Sequence, residues 1–465
     1  MNRIRQDLLA SRPARWLLRR AGFPLLLQGL ALAAMLYLLV NGWGAGSGMS
    51  GAELKLLRKT NLTTLAVWGL WWPVMIGLTL ALGRVWCTVC PLELAHRAAE
   101  ALARRIGWPR ARLGAWLSSG WATVLGYLVL VVLVSAYSLH RRPDGTAIMI
   151  AVLLGVAVLA GLIFREPRAL CQAFCPAAAL LSAYGRQTGL QLDTRDPAVC
   201  DSCQSKDCAA AANRFRFDAR SCPSLIRPYR RDPADGCVLC LQCAKICPHD
   251  NLGYGRVPPE AGSRRVALLR PFETAFVLLV SGWISYEVCS EVSWLKAVFL
   301  APAQGVAELV PALGSAWSAT LWRLGLVPLI LWGLAALLGL ALGGRERIGR
   351  MLGAAATAAV PVIAAAQLAK GAAKLAAWAG FLPGALSDPR GLQTFDRLLG
   401  HAEQWPARLY PLWLAGGFGV VLVLALALWS WRRIGALPET SRPAARAGLI
   451  VFTLLYLPVL VCWLF

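Results

Sequence analysis

The stretch "CVLCLQCAKICPHD" (residues 237–250) sets Cys237, Cys240, Cys243 and Cys247 in the spacing C-x2-C-x2-C-x3-C-P. Thiols at this spacing ligate iron–sulfur cubanes. Three cysteines two residues apart share one tight loop and can take three corners of a single cluster. The fourth lies past the next turn, and Pro248 leads the chain away, so Cys247 is expected to serve a different cluster. The run is therefore short of one ligand for its own cluster. It also needs three partners for its last cysteine.

Both requirements can be met upstream. "CDSCQSKDC" (200–208) supplies Cys200, Cys203 and Cys208, a C-x2-C-x4-C triplet that also lacks a fourth ligand. Between the two runs, "FDARSCPSLIRPYRRDP" (217–233) holds Cys222 followed by Pro223, with thirteen residues back to the previous cysteine and fourteen on to the next. Cys222 is expected to complete the set of Cys237, Cys240 and Cys243, and Cys247 that of Cys200, Cys203 and Cys208. Eight thiolates then hold two [4Fe–4S] clusters. C-x2-C pairs also suit tetrahedral zinc, but zinc gives no reason for the two Cys-Pro positions. Disulfides would require an oxidising compartment.

Four more cysteines follow apolar runs: Cys87 and Cys90 in "GRVWCTVCPLELA" (83–95), Cys171 and Cys175 in "RALCQAFCPAAAL" (168–180). The two segments form a weak internal repeat of span, span and Cys-Pro, so the four thiols are expected to converge at one membrane edge. A soft metal ion, a further iron–sulfur centre and a redox dithiol all suit such a set. Apolar thiols at helix ends without a role are the plain alternative.

Apolar residues make up 57% of the 465-residue chain and charged residues 15%, against about a quarter charged in soluble domains. Nine runs have the roughly 20-residue length that crosses a bilayer: 22–40, 62–82, 115–136, 146–164, 271–288, 322–343, 352–369, 409–430 and 447–465. The seventh is the weakest, because Lys370 and Lys374 follow it at helical spacing and either snorkel or make it interfacial. The run from Phe23 to Val40 has no clean small-residue cleavage site after it and is expected to stay as an uncleaved first span.

The net charge of +23 comes mainly from residues between the apolar runs. Arg3, Arg5, Arg12, Arg15, Arg19 and Arg20 place the N-terminus in the cytoplasm by the positive-inside rule. Alternation then puts 84–114, 165–270, 344–350 and 431–446 on the same side and the C-terminus outside. The cytoplasmic segments include Arg84, Arg97, Arg104, Arg105, Arg110 and Arg112, and later Arg432, Arg433, Arg442 and Arg446. No basic stripe interleaved with stacking aromatics is present, so nucleic acid is not an expected partner. His96 is a candidate extra ligand beyond Cys90, and His249 a local hydrogen-bonding group. His140, His401, Cys289 and Cys462 receive no role. Tryptophans such as Trp71, Trp72 and Trp86 suit interfacial anchoring. No P-loop occurs.

On "GRVWCTVCPLE", "CQAFCP" and the eight cysteines from Cys200 to Cys247, the chain resembles the membrane-bound ferredoxin-type proteins of the NapH, NosR and CcoG kind, over roughly residues 20–255. Its departures are a first membrane motif one residue shorter, a stretched first triplet, no outer soluble domain, and five spans after the cysteine-rich segment. The resemblance implies electron transfer between a quinol pool or cytoplasmic donor and a partner redox enzyme, or metal-ion reduction. An assembly or anchoring factor with structural clusters is a third reading.

The expected fold is a polytopic α-helical membrane protein with an inserted cytoplasmic two-cluster ferredoxin-like α+β module. Its parts are 1–189, a four-span N-terminal membrane domain; 190–265, the module; and 266–465, a five-span C-terminal membrane domain. The expected setting is the inner (cytoplasmic) membrane, with the lipid bilayer, a redox partner protein and a quinone as partners.

Overall fold

The computed structural model describes residues 4, 6–20, 22–186, 189–224, 226–230, 237–256 and 268–465. Arg3, Arg5 and the end of the extramembrane segment, 257–265, lie outside the described residues.

Long runs of Leu, Ala, Val and Gly form helices because a chain in hydrocarbon must satisfy every backbone group within itself. Among the described residues, eight helices are long and apolar enough to cross a membrane. With a shorter ninth they are α1 Leu25–Gly42, α2 Leu62–Leu82, α3 Trp121–Ala136, α4 Pro143–Ile163, α5 Pro271–Cys289, α6 Pro311–Ala341, α7 Ile348–Ser387, α8 Leu412–Ile434 and α9 Glu439–Leu464. Eight of the nine expected spans thus stand at spanning length, and the third is a shorter apolar helix. The third run breaks at Gly120, whose φ of +91° ends a short helical turn at Ala115–Ser118. What remains, α3, is 16 residues, about 24 Å at 1.5 Å per residue.

The chain divides into two compact units. One comprises 37–77, 124–151 and 268–465. Its central element is α7, the most enclosed of the spanning helices. Ala354, Ala356, Ala359, Ala364 and Ala366 are all fully buried. Small side chains let backbones approach closely, the packing that serves where lipid removes the hydrophobic drive between helices. A Cβ on Gly448 of α9 would stand 2.5 Å from the Ala355 carbonyl oxygen, and one on Gly419 of α8 would stand 2.7 Å from Ala369 Cβ. α7 is therefore not interfacial. Lys370 pairs with Glu291 and donates to Ser290 Oγ at 3.2 Å.

The other unit comprises 1–36, 78–123 and 152–267. Its cysteine-rich part is closed by an antiparallel pair, β1 Leu190–Thr194 and β2 Leu252–Arg256, in register from Leu190 opposite Arg256 to Thr194 opposite Leu252. A small core gathers Leu9, Leu18, Leu192, Leu239, Cys243, Leu252 and Tyr254. Asp7 anchors the N-terminal segment there, its carboxylate accepting from Tyr254 N at 3.0 Å and Arg195 Nε at 2.7 Å. The Tyr254 hydroxyl donates to the Leu82 carbonyl, the last residue of α2, at 2.6 Å.

Candidate functional site

Pairing β1 with β2 returns the chain after Cys247 to the segment that leads into Cys200. Asn251 occupies that junction. Its backbone N–H donates to Cys247 Sγ at 3.4 Å, and its Nδ2 donates to Cys200 Sγ at 3.3 Å. The same amide is fixed by Asp196, donating to its carbonyl at 2.6 Å and accepting from its N–H at 3.0 Å. Loss of water pushes the Cys208 thiol up to about 12, and the negative charges that add to this are Cys247, Cys200 and Cys203. Cys203 is near the surface and shifts the other way, held down first by the Lys206 backbone N–H.

A second group forms around Cys222. Burial raises its thiol to about 11, with Cys240 and Cys237 as charged neighbours. Cys243 lies well above its ordinary value through burial and then Cys240, Cys222 and Cys237. Cys208 thus has Cys247, Cys200 and Cys203 as charged neighbours, and Cys243 has Cys240, Cys222, Cys237 and then Cys208. The groups adjoin, since Cys222 N–H donates to the Cys208 carbonyl at 2.8 Å.

The loop of the second group has left-handed backbone at Leu239 (φ 51°) and Leu241 (φ 58°). A non-glycine residue in this region is uncommon, and two alternating with ordinary residues turn successive N–H groups to one side. Such concavities bind anionic groups, iron–sulfur clusters among them. Among the described residues, no three His, Cys, Asp or Glu side chains are close enough to hold a metal ion directly.

The four membrane-edge cysteines also share one neighbourhood. Cys90 is pushed up to about 12 by burial, then by Cys87 and Cys175; Cys171 rises well above its usual value through burial, with Glu93, Cys175 and Cys90 adding to it. The prolines explain their placement. Pro91 opens the helix Pro91–Arg105 and Pro176 opens Pro176–Gly185, so Cys90 and Cys175 are the capping residues. Proline suits the first helical turn, where its missing N–H costs nothing, and the helix N-terminus favours thiolate. Both Cys-Pro motifs therefore present a thiol at a helix start.

Sequence reasoning missed the charges that tie these groups together. Glu93 is 1% exposed, and Arg168 and Arg220 are each 2% exposed. Arg168 Nε lies 3.2 Å from Glu93 Oε1, and Arg220 Nη2 donates to the same oxygen. Burial alone would raise the Glu93 carboxyl. Arg168, Arg220 and Arg97 outweigh it and hold it down at about 2. Arg168 is held cationic against its own burial by Glu93, then by Cys240, Cys171 and Cys87, so it faces both the second group and the membrane-edge set. A neutral link runs alongside: Gln28 Nε2 donates to the Thr88 carbonyl at 2.9 Å, and Thr88 Oγ1 donates to the Leu239 carbonyl at 2.6 Å. The available signal was positional, since Glu93 follows Cys90 by three residues and Arg220 precedes Cys222 by two.

His96 does not reach toward the thiols by hydrogen bonding. Its Nδ1 lies 3.2 Å from the Ala157 carbonyl on α4, and its Nε2 has no hydrogen-bond partner among the described residues. Cys289 and Cys462 are free thiols of the other unit. In comparisons with known proteins, the chain matches no family model, no curated protein and no solved structure.

Proposed function

We propose that this chain is a membrane-embedded iron–sulfur electron-transfer protein carrying two [4Fe–4S] clusters. Cys200, Cys203, Cys208 and Cys247 would hold one, and Cys222, Cys237, Cys240 and Cys243 the other. The observation that carries the reading is Asn251, which donates to Cys247 and Cys200 together across a long separation in sequence. N–H donors aimed at sulfur stabilise thiolate and tune the potential of what it ligates. When bound, such clusters accept and release single electrons. The chain's own residues then have defined work. Arg168 and Arg220 offset the negative charge of the thiolates beside them, the core around Leu239 and Cys243 excludes water, and Thr88 fixes the loop.

The membrane-edge set of Cys87, Cys90, Cys171 and Cys175 fits the same reading as a further metal or iron–sulfur centre, reached through Arg168. A quinone in the bilayer or a partner redox protein would supply or take the electrons. By the positive-inside rule the arginine-rich segments favour a reading with the cysteine-rich part on the cytoplasmic side of an inner membrane and the C-terminus outside. Convergence of the four membrane-edge thiols also favours a second reading, reduction or handling of a soft metal ion such as Cu(I).

Anaerobic purification with iron and sulfide counting, followed by EPR after quinol or dithionite, tests both. About eight iron with acid-labile sulfide and reduction by quinol supports the first reading. Copper bound in proportion to protein, and lost when the membrane-edge cysteines are replaced by serine, supports the second. Zinc without acid-labile sulfide overturns the cluster assignment.

A further inference from the structure

The unit built around α7 contains a group of charges that no electron-transfer role uses. Lys370 is engaged by both nearby carboxylates, pairing with Glu291 and lying 4.0 Å from Glu287 Oε2. Four other cations share this region without an ion pair among the described residues. Lys374 and Arg58 lie over the same Trp378 ring, at 4.9 and 5.1 Å from its centre. Arg323 lies 3.7 Å over the Tyr286 ring. Arg141 is in electrostatic reach of both Arg58 and Arg323. The Nε atoms of Arg58, Arg141 and Arg323 and the Nδ1 of neighbouring His140 are buried with no hydrogen-bond partner.

Arg58 precedes α2, and His140–Arg141 precede α4. Ionisable groups held within a membrane protein without compensation are costly and usually functional. Backbone irregularity points to the same place. Two π-helical segments, Leu65–Trp71 and Trp322–Leu326, interrupt α2 and α6 here. Trp68 of the first meets His140 edge-on at 6.4 Å, and the second carries Arg323. π-Segments inside α-helices are frequent at functional sites. The third such segment among the described residues, Leu170–Phe174, carries Cys171.

We propose that these side chains form a binding site for a small oxyanion of the phosphate type, with Lys374, Arg58 and Arg141 as its principal donors. The anion neutralises the cationic surplus and takes up the unpaired guanidinium N–H groups. Partial exposure of Lys370, Glu287 and Glu291, at 13%, 24% and 17% of the side chain, leaves the cluster reachable by a small solute or a lipid headgroup.

The test uses the full chain in nanodiscs, with inorganic phosphate as the probe in phosphatidylcholine and, separately, with phosphatidylglycerol added to the disc. A rise in unfolding temperature with phosphate in phosphatidylcholine identifies a free anion; a rise only with phosphatidylglycerol identifies a headgroup. In either case Lys374→Met and Arg141→Gln should weaken the effect by about tenfold or more, as loss of a charge-assisted donor does. Arg432→Gln, at an exposed position outside the cluster, should leave it unchanged. Stabilisation by neither source, or undiminished binding in both cluster variants, overturns the proposal. A monodisperse peak on size exclusion shows that each variant has folded, and iron content of the same preparations reports on the iron–sulfur reading independently of this site.

Discussion

Arg168 Nε lies 3.2 Å from Glu93 Oε1, and both side chains are almost wholly out of water. Glu93 follows one membrane-edge cysteine pair and Arg168 precedes the other, so the ion pair locks the two Cys-Pro segments to each other. Arg220 joins at the same carboxylate and brings in the segment of Cys222. A buried charge is retained only when paired, and here three arginines, Arg97 included, surround one carboxylate. The remaining positive charge faces thiols, Cys240 among them.

If the proposed clusters are present, Arg168→Gln should lower the midpoint potential of the one at Cys222, Cys237, Cys240 and Cys243, because the reduced state gains negative charge and loses a nearby cation. One unit charge at an effective dielectric near 20 contributes about 1–2 kcal/mol at such separations, or tens of millivolts for one electron. Redox titration followed by EPR reads the shift. The cluster of Cys200, Cys203, Cys208 and Cys247 should move much less. Equal shifts in both would mean that Arg168 acts through the fold and not through its charge.

Cys222→Ser should damage the cluster of Cys237, Cys240 and Cys243 and largely spare the other. Cys247→Ser should do the reverse, although Cys247 belongs to the same run in sequence. Iron per protein should fall by about half in each, with different EPR signals surviving. If Cys247→Ser removes the signal that Cys243→Ser removes, the runs are self-contained and the exchange is wrong.

Asn251→Leu keeps the approximate size of the side chain and removes its donor to Cys200 Sγ and its bonds to Asp196. Loss of such an outer partner commonly costs about 10–100-fold in metal affinity. The variant should lose iron to a chelator faster than the parent, from the cluster of Cys200 first. Asn251→Asp, which presents an oxygen where a donor stood, should be worse. Equal chelator resistance in all three proteins would remove Asn251 from the site.

Much of this arrangement was legible in the sequence, for reasons specific to each part. Spans can be read because a helix in lipid must be long, apolar and self-satisfied, and eight of the nine runs met that requirement. The third did not, because a glycine with positive φ leaves no trace in hydropathy. α7 looked weakest because alanine is only mildly apolar, yet alanine is what lets Ala355 and Gly448 pack backbone to backbone. Cysteine spacing singled out the thiols that the proposal uses. The Glu93–Arg168–Arg220 group stayed hidden because its arginines sit among many others that positive-inside placement already explained. Only pairing in space separates a buried Arg168 from an exposed Arg432.

Glu93 also predicts a dependence on pH. Its carboxyl is held at about 2 in the folded chain against 4.5 ordinarily. A depressed carboxyl contributes stability that is fully present above the unfolded value and is lost as pH falls through the folded one. The contribution, about 3 kcal/mol by linkage, should fade between about pH 4.5 and 2. Glu93→Gln should be less stable than the parent at neutral pH, and the gap should close over that window. Following unfolding by tryptophan fluorescence for both proteins, and taking their difference, separates this group from other acid-labile features. A gap that stays constant down to pH 2 would show that Glu93 contributes through packing and not through charge.

Packing around α7 can be tested without reference to any cofactor. A Cβ at Gly448 would meet the Ala355 carbonyl oxygen at 2.5 Å, while one at Gly333 on α6 meets nothing within 4 Å. Gly448→Leu must push α9 away from α7, and overpacking of this kind costs about 1–3 kcal/mol. Gly333→Ala adds helix propensity at no steric cost and should be neutral or stabilising by up to about 1 kcal/mol. Thermal inactivation in detergent, scored by loss of the monodisperse peak, should order the proteins as Gly333→Ala, parent, Gly448→Leu. Because both substitutions lie in the unit that carries none of the eight clustered cysteines, iron content should follow the parent wherever the chain remains folded. A Gly448→Leu protein as heat-resistant as the parent would mean that α7 and α9 are not in backbone contact.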